Sequence, residues 1–181
     1  MKFEETTLPG VLVITPRIFA DSRGYFLETY NQRLMAEAGL PSAWLQDNSS
    51  FSKKNVLRGI HYQAIQPQGK LVRVSQGAVL DVAVDLRRTS PTFGQHLAVE
   101  LSAENGKMLW IPIGFGHAYL VLSDVAGFAY KVTDYYSPAG ERTILWNDPD
   151  LAIPWPVSPQ EAIVSDKDAA GARFKDAEVF A

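Results

Sequence analysis

The residues most capable of chemistry lie in one short segment, in which Gln63 follows His61 by two positions. On a strand, residues two apart point to the same face, so the two side chains would share one site. A transition-metal site at H-x-H spacing needs a second imidazole, and a neutral amide is a poor substitute for it. The segment therefore predicts proton transfer at His61 rather than metal chemistry.

The chain has three histidines, and their surroundings differ. His117 follows a proline and a glycine in the pattern P-x-G-x-x-H, which bends the chain so that a histidine begins the next strand. His96 has no companion motif, and we expect it at the surface. On spacing alone, His61 is as compatible with an ordinary histidine at the edge of the core as with a catalytic base.

A histidine that transfers protons commonly has a carboxylate partner, which fixes the ring tautomer and raises its basicity. The candidates are Asp81, Asp85, Asp166 and Asp168. Asp81 alternates with apolar residues along 78–86, so it lies on a face that is either solvent or a polar barrel interior. The residue pattern alone leaves the choice among the four carboxylates open.

Three basic side chains are candidates for holding an anion. Lys70 begins a strand, a position that is also typical of a solvated lysine. Arg58 and His61 fall on opposite faces of an ideal strand, so both reach one pocket only if Gly59 marks a bulge or twist. Arg23 lies in a D-S-R-G loop, and its forked guanidinium suits a phosphate.

The elements that must position these residues are mostly short strands. Turn signals rich in Gly, Pro, Asn and Asp separate eight strand-forming segments, a spacing typical of an all-β barrel or sandwich. These segments cover residues 43–51, 56–63, 70–75, 78–86, 95–101, 108–113, 117–122 and 126–133. A further strand is expected at 10–15. One helix is predicted from about Asn31 to Ala38, ended by Gly39, and a short one near 168–175.

Composition narrows the class of protein. With 181 residues, 46% of them hydrophobic, we assign residues 1–181 to a single domain with an apolar core. The net charge of −3 disfavours a nucleic-acid partner. The lack of cysteine excludes disulfides and thiolate metal ligands. No apolar run approaches the ~20 residues of a membrane span and no signal core follows Met1, so we expect a cytoplasmic protein with no membrane partner.

An ordered series of motifs over residues 8–170 resembles one enzyme family. The motifs are D-S-R-G-Y-F (21–26), Q-D-N-S (46–49), N-V-L-R-G-I-H (55–61), G-K-L-V-R (69–73), D-V-A-V-D (81–85), P-T-F-G (91–94), W-I-P-x-G-F-G-H (110–117), Y-K (130–131), Y-Y-S-P (135–138) and I-L-W-N-D (144–148). In this order they resemble the dTDP-4-dehydrorhamnose 3,5-epimerases of dTDP-L-rhamnose biosynthesis. Each motif alone is weak, whereas the whole series is specific.

The resemblance implies an all-β fold, a cupin-type jelly-roll β-barrel with a few short helices. It implies a short N-terminal arm, about residues 1–30, and an irregular or helical C-terminal tail, about 137–181. It also implies a homodimer in which the arm crosses into the partner's site, and a reaction that needs no metal or organic cofactor. The implied substrate is dTDP-4-keto-6-deoxy-D-glucose, which is inverted at C3 and C5 to dTDP-4-keto-L-rhamnose.

The family's residue roles can be carried over by motif. His61 resembles the general base, Asp168 its carboxylate partner, and Tyr130 the acid that acts on the opposite ring face. Lys70 would lie near the C4 oxygen. The remaining positions resemble substrate-binding residues: Arg58 and Arg23 for the diphosphate, His117 with Asp81 as a second histidine–aspartate pair, and Gln46, Asn48, Phe19 and Glu28 around the nucleotide and sugar.

Other functions are compatible with some of the same residues. A 3- or 5-monoepimerase, or a keto-isomerase of a related dTDP-6-deoxy-4-keto sugar, would share the histidine–aspartate pair. A non-catalytic cupin that binds sugar nucleotides is disfavoured by the joint presence of the four catalytic candidates. A metal-dependent cupin dioxygenase is disfavoured by Gln63.

Overall fold

The computed structural model describes residues 1–181, which form thirteen strands and three short helical segments. The strands are β1 (Lys2–Glu5), β2 (Leu12–Thr15), β3 (Ile18–Asp21), β4 (Gly24–Leu27), β5 (Gln46–Lys53), β6 (Leu57–Gln63), β7 (Lys70–Gln76), β8 (Ala78–Asp85), β9 (His96–Ser102), β10 (Met108–Ile111), β11 (Phe115–Val121), β12 (Val125–Val132) and β13 (Glu141–Thr143). The helical segments are α1 (Gln32–Glu37), α2 (Asp166–Ala169) and a 3₁₀ turn at Phe174–Asp176. Neither α-helix has the length and apolar character needed to cross a membrane.

The strands are arranged in two large antiparallel sheets. The six-stranded sheet has the order β1-β2-β10-β7-β12-β5, and the five-stranded sheet has the order β13-β6-β11-β8-β9. Their inner faces share one apolar core, to which Val72 and Phe128 contribute from the first sheet and Val79 and Val121 from the second. This arrangement is a jelly-roll barrel, and it confirms the predicted all-β fold, including all eight central strands.

Alternation along β8 decides which side chains face the barrel interior. Val79 and Ala83 pack in the core between the sheets, whereas Val82 and Val84 pack in a second cluster behind the five-stranded sheet. Asp81 has the parity of Val79 and Ala83, so it points into the interior, where it is completely buried. The acidic face of this strand therefore lines the barrel lumen and not the solvent.

The C-terminal tail covers the outside of the five-stranded sheet. It attaches through short parallel bridges, Val56 with Ile163, Arg87 with Phe180, and Ile144 with Ala172. The prediction of a single helix near 168–175 is wrong, because α2 and the 3₁₀ turn are separate segments. Between them Gly171 lies against the backbone of β-bridge residue Ile144, where a side chain would come within 2.8 Å of its carbonyl carbon.

The helix predicted over Asn31–Ala38 is confirmed as α1. The side chain of Asn31 accepts hydrogen bonds from two backbone N–H groups of the first turn. Gly39 follows the last turn with φ of +78°, a conformation that favours glycine. Met35 is fully buried and anchors the helix on the outside of the six-stranded sheet.

Residues 1–30, which were predicted to form an N-terminal arm, contain four strands. Residues 2–5 and 12–15 are strands of the six-stranded sheet, and only β3 and β4 form a separate hairpin. The hairpin exposes large apolar side chains: Ile18 (40%), Phe19 (49%), Tyr25 (59%) and Phe26 (69%). A concentration of exposed apolar groups of this kind is typical of a surface that binds a partner.

Candidate active site

His61 and Asp168 form a hydrogen-bonded pair at the rim of the barrel interior. Nε2 of His61 lies 2.6 Å from Oδ1 of Asp168, and the backbone N–H of Gly59 donates to Oδ2 at 3.3 Å. Burial alone would raise the pKa of Asp168, but its contacts with His61 and Gly59 outweigh burial and lower the pKa. An ionised carboxylate only accepts hydrogen bonds, so the neutral ring carries its proton on Nε2. Nδ1 of His61 is therefore free to accept a proton.

The tail places Asp168 beside the strand. Ser165 caps α2, and its hydroxyl oxygen accepts a hydrogen bond from the backbone N–H of Asp168 at 3.2 Å. Just after the helix, Ala172 forms a β-bridge with Ile144. The residue before Ile144, Thr143, pairs with His61 in the ladder between β13 and β6. This short connection holds the Asp168 carboxylate against the His61 ring.

The other two carboxylates that sequence left open have different surroundings. Asp166 is exposed at the start of α2. Asp85 accepts hydrogen bonds from Arg87, Ser90 and Thr92 in the turn that follows β8. Burial would raise the pKa of Asp85, but these hydrogen bonds lower it to about 2. Asp85 therefore stabilises a turn and is not part of the site.

A bulge in β6 brings Arg58 to the face of His61. In the ladder with β11, His61 lies opposite His117 and Arg58 opposite Tyr119, so a step of three residues on β6 spans two on β11. At the bulge, Gly59 has φ of +119°, and a Cβ there would lie 2.6 Å from the Cβ of the facing alanine. Only glycine fits this position, which confirms the bulge predicted for Gly59.

A second histidine–aspartate pair lies deeper in the lumen. Nε2 of His117 is 2.9 Å from Oδ2 of Asp81, and the two side chains are 8% and 0% exposed. Burial lowers the pKa of His117 more than the charge and hydrogen bond of Asp81 raise it, so the ring is neutral near pH 7. Oδ1 of Asp81 has no hydrogen-bond partner. The His117 ring stacks on Phe128 of the opposite sheet, with centroids 5.8 Å apart.

Lys70 enters the lumen from the six-stranded sheet. It has the strand parity of Val72, a core residue between the sheets, and its Nζ lies 3.5 Å from the backbone oxygen of His61. Burial lowers the pKa of Lys70 to about 8, against the opposing charges of Asp81 and Glu141. This ammonium forms no ion pair shorter than 4.0 Å and is available to a ligand oxygen.

Tyr130 also lies on the six-stranded sheet and faces the same interior. Its ring centroid is 6.0 Å from that of Phe128, which belongs to the core between the sheets. Burial and the neighbouring Tyr119 raise the pKa of Tyr130, and the charge of Arg58 only partly opposes them. The phenol therefore keeps its proton near pH 7 and can act as a donor.

Two amide side chains lie beside Tyr130 on the edge strand β5. Asn48 is directly opposite Tyr130 in the ladder, and its Oδ1 accepts a hydrogen bond from Nε2 of Gln46 at 2.7 Å. Arg58 on β6 is exposed. Its Nε donates a hydrogen bond to Oγ of Ser52 on β5 at 3.2 Å. The other guanidinium nitrogens of Arg58 are free to donate to an anion.

The three arm residues predicted for the site make only local contacts within one chain. Arg23 is 88% exposed and pairs with Asp21 of the same hairpin at 2.6 Å. Phe19 packs against Phe26 of the same hairpin, with ring centroids 6.4 Å apart. The Glu28 carboxylate accepts a hydrogen bond from Nδ2 of Asn31, the N-terminal cap of α1, at 3.2 Å. One chain by itself thus does not bring the arm to the histidine–aspartate pairs.

Sequence reasoning missed Glu141, which the structure places at the site. It lies opposite Gln63 on β13, and its carboxylate accepts hydrogen bonds from Lys167 at 2.6 Å and from the Tyr136 hydroxyl at 3.1 Å. Burial would raise the pKa of Glu141, but these two hydrogen bonds and the charge of His61 lower it. Because β13 has only three residues, it shows no alternation that could have indicated a strand.

The spacing of His61 and Gln63 predicted that their side chains share one site, and this prediction is wrong. Its amide bonds to the backbone of two loops, with Nε2 donating to the oxygens of Gln66 at 2.6 Å and Tyr135 at 3.2 Å. Its Oε1 accepts from the N–H of Ser137 at 2.9 Å. No group of three or more His, Asp or Glu side chains is arranged to hold a metal ion.

The chain is similar to known proteins over almost its whole length. The family model of dTDP-4-dehydrorhamnose 3,5-epimerase matches residues 5–176. Curated proteins of that name from Pseudomonas aeruginosa and Shigella flexneri are 53% and 51% identical, each over 99% of both chains. A solved dTDP-6-deoxy-D-glucose-3,5-epimerase from Legionella pneumophila, in complex with dTDP-4-keto-L-rhamnose, is 47% identical with a TM-score of 0.93, over 98% of this chain and 94% of that one.

A solved protein with a narrower activity is also similar. ChmJ from Streptomyces bikiniensis, a 3'-monoepimerase in complex with dTDP-quinovose, is 35% identical with a TM-score of 0.88, over 94% of this chain and 86% of that one. The full-length match to the family model and the identity of about half to several curated members decide the family. The chain belongs to the dTDP-4-dehydrorhamnose 3,5-epimerase family.

Proposed function

We propose that the protein inverts C3 and C5 of dTDP-4-keto-6-deoxy-D-glucose and forms dTDP-4-keto-L-rhamnose for dTDP-L-rhamnose biosynthesis. The observation that carries this proposal is the position of two groups on opposite walls of one lumen. His61, paired with Asp168, belongs to the five-stranded sheet, and Tyr130 belongs to the six-stranded sheet. A sugar ring between the sheets has a base at one face and a proton donor at the other.

Proton removal next to a ketone requires a base and a means of stabilising the enolate that forms. Nδ1 of His61 takes the proton, and the ionised Asp168 stabilises the imidazolium that results. The ammonium of Lys70 lies beside the His61 backbone, in surroundings desolvated enough to lower its pKa to about 8. Its charge stabilises the developing negative charge on the C4 oxygen more strongly there than it would in water.

Inversion is completed when the carbon receives a proton at its other face. The partly buried phenol of Tyr130 supplies this proton. Each inversion therefore replaces the original hydrogen with one that comes from the protein and, through it, from solvent. The same two groups serve C3 and C5, because both carbons flank the C4 ketone.

The remaining site residues bind the substrate. The exposed guanidinium of Arg58 suits the diphosphate, so a chain with net charge −3 binds an anion through a local cation. Gln46 and Asn48 offer amide groups beside Tyr130 for the nucleotide and sugar. His117 binds the sugar, and the buried Asp81 orients its ring.

A second copy of the chain completes the site with Phe19, Arg23 and Glu28 of its arm. Two observations support this homodimer. The hairpin exposes four large apolar side chains, and β5, which carries Gln46 and Asn48, pairs with only one neighbour in its sheet. An arm that crosses to the partner would cover apolar surface and an open strand edge at the same time.

A 3- or 5-monoepimerase is the second candidate, because the solved 3'-monoepimerase ChmJ shares the fold with a TM-score of 0.88. Product analysis separates the two. The protein is incubated with dTDP-4-keto-6-deoxy-D-glucose, the keto sugar is trapped by reduction, and the ring configuration is determined by NMR. Inversion at C3 and C5 supports the proposal, inversion at one carbon selects the second candidate, and unchanged sugar contradicts both.

A further inference from the structure

Gln63 uses its whole side-chain amide to hold backbone. The residue is only 5% exposed, and a primary amide offers two N–H donors and one oxygen acceptor. The donors reach the backbone oxygens of Gln66 and Tyr135, and the acceptor receives the N–H of Ser137. No carboxylate, imidazole or apolar side chain can replace this set of three hydrogen bonds.

The segment that Gln63 holds, residues 135–137, spans the mouth of the lumen. The N–H of Tyr136 donates to Oε1 of Gln46 on the six-stranded sheet at 3.0 Å. The Tyr136 hydroxyl donates to Glu141 on the five-stranded sheet at 3.1 Å. The ring of Tyr136 is 52% exposed. The segment thus links the two sheets and presents an aromatic side chain at the opening.

From Glu141 a chain of contacts returns to the catalytic pair. Lys167 donates to Glu141 at 2.6 Å, and the residue after Lys167 is Asp168, the partner of His61. Gln63 is therefore connected to His61 both along β6 and around the mouth of the barrel. The side chains of these two residues have separate tasks, since one contacts only backbone and the other only the carboxylate.

We propose that Gln63 is a positioning residue for substrate binding, which fixes the segment 135–137 and its Tyr136 at the mouth of the lumen. This inference rests on the proposed function of the site. Loss of the Gln63 amide leaves the His61–Asp168 pair intact and releases one wall of the opening. It therefore weakens the binding of the nucleotide sugar and leaves proton abstraction unchanged.

The test uses Gln63→Met, which keeps the length of the side chain and removes all three hydrogen bonds. We expect KM to rise about tenfold, while kcat and its pH profile change by less than about twofold. Amide hydrogen exchange of residues 135–137 should accelerate, and that of β11 should not. Gln95→Met is the matched control, because Gln95 is exposed and its side chain makes no hydrogen bond.

A double-mutant cycle with Tyr136→Ala separates positioning from simple stabilisation. If Gln63 acts through this segment, the KM of Gln63→Met with Tyr136→Ala is no higher than that of Tyr136→Ala alone. Additive increases in KM, or a fall in kcat at unchanged KM, would overturn the proposal. Should Gln63→Met fail to fold, Gln63→Asn keeps a neutral amide that is one methylene too short to reach all three backbone groups, and it must also raise KM.

Failure of this inference is distinguishable from failure of the proposed function. Absence of turnover in the wild-type protein contradicts the proposed function alone. In that case, binding of dTDP and the hydrogen exchange of residues 135–137 still report on the segment. Unchanged exchange and unchanged dTDP affinity in Gln63→Met would overturn the role of Gln63.

Discussion

Nε2 of His61 and Oδ1 of Asp168 lie 2.6 Å apart, although 107 residues separate them along the chain. The tail that covers the outside of the five-stranded sheet also supplies Asp168, the partner of the proposed base. Its bridge between Ile144 and Ala172 fixes the end of α2 beside β6. The packing that stabilises the barrel therefore also brings His61 and Asp168 together.

His61→Ala should keep the fold and lower the turnover number about 10²- to 10⁴-fold, which is the usual contribution of a general base. The side chain of His61 is 28% exposed, so its removal leaves no large cavity in the core. Turnover and the thermal unfolding midpoint are measured together. His96→Ala, at the first residue of β9, is the control and should match the wild-type protein in both. Wild-type turnover in His61→Ala would rule out its role as the base.

Tyr130→Phe should still remove protons but fail to return them at the opposite face. The substitution deletes only the hydroxyl and keeps the ring beside Phe128, so the core remains packed. We expect exchange of substrate hydrogen with solvent to continue, with turnover to the doubly inverted product reduced about 10²-fold or more. Normal yields of the 3,5-inverted sugar from this variant would contradict the acid role.

Lys70 should give the reaction an alkaline limit. Burial lowers its pKa from the ordinary 10.5 to about 8, so the ammonium form is present below about pH 8 and is lost as pH rises. If this cation stabilises the enolate, kcat should fall above about pH 8. In Lys70→Arg the guanidinium stays protonated, and the alkaline limb should move to higher pH even if the maximal rate is lower. An alkaline limb that does not move would exclude Lys70 as its source.

Mixed dimers test whether the arm crosses to the partner. Arg23→Glu places a repulsive charge on the arm, and His61→Ala removes the base, so each variant alone should have little activity. When the two are co-expressed, a mixed dimer with crossed arms has one intact site, and total activity should recover to about a quarter of wild type. Activity no greater than the sum of the separate variants would show that each arm serves its own chain.

The barrel was largely predictable from sequence, because turn residues rich in Gly, Pro, Asn and Asp separate its eight central strands. Strands β1, β3, β4 and β13 have three or four residues each, too few to establish a period of two. The hairpin and β13 were missed for this reason, and the strand at residues 2–5 was assigned to the arm.

The site was predictable only in part. The bulge at Gly59 follows from local geometry, since Arg58 and His61 share a face only if the strand is interrupted. The choice of Asp168 among four carboxylates depends on a contact between distant segments, which no local pattern encodes, and it came from the family resemblance. Glu141 left no signal at all, because its position depends on the pairing of β13 with β6.

The measurement that tests the central claim most directly is hydrogen exchange during turnover in heavy water. The protein is incubated with dTDP-4-keto-6-deoxy-D-glucose in D₂O, the product is reduced, and deuterium at C3 and C5 is located by NMR and mass spectrometry. A base and an acid on opposite faces of the ring predict deuterium at both carbons, each with inverted configuration. Inversion without deuterium, or no deuterium and no inversion at either carbon, would contradict proton transfer by His61 and Tyr130.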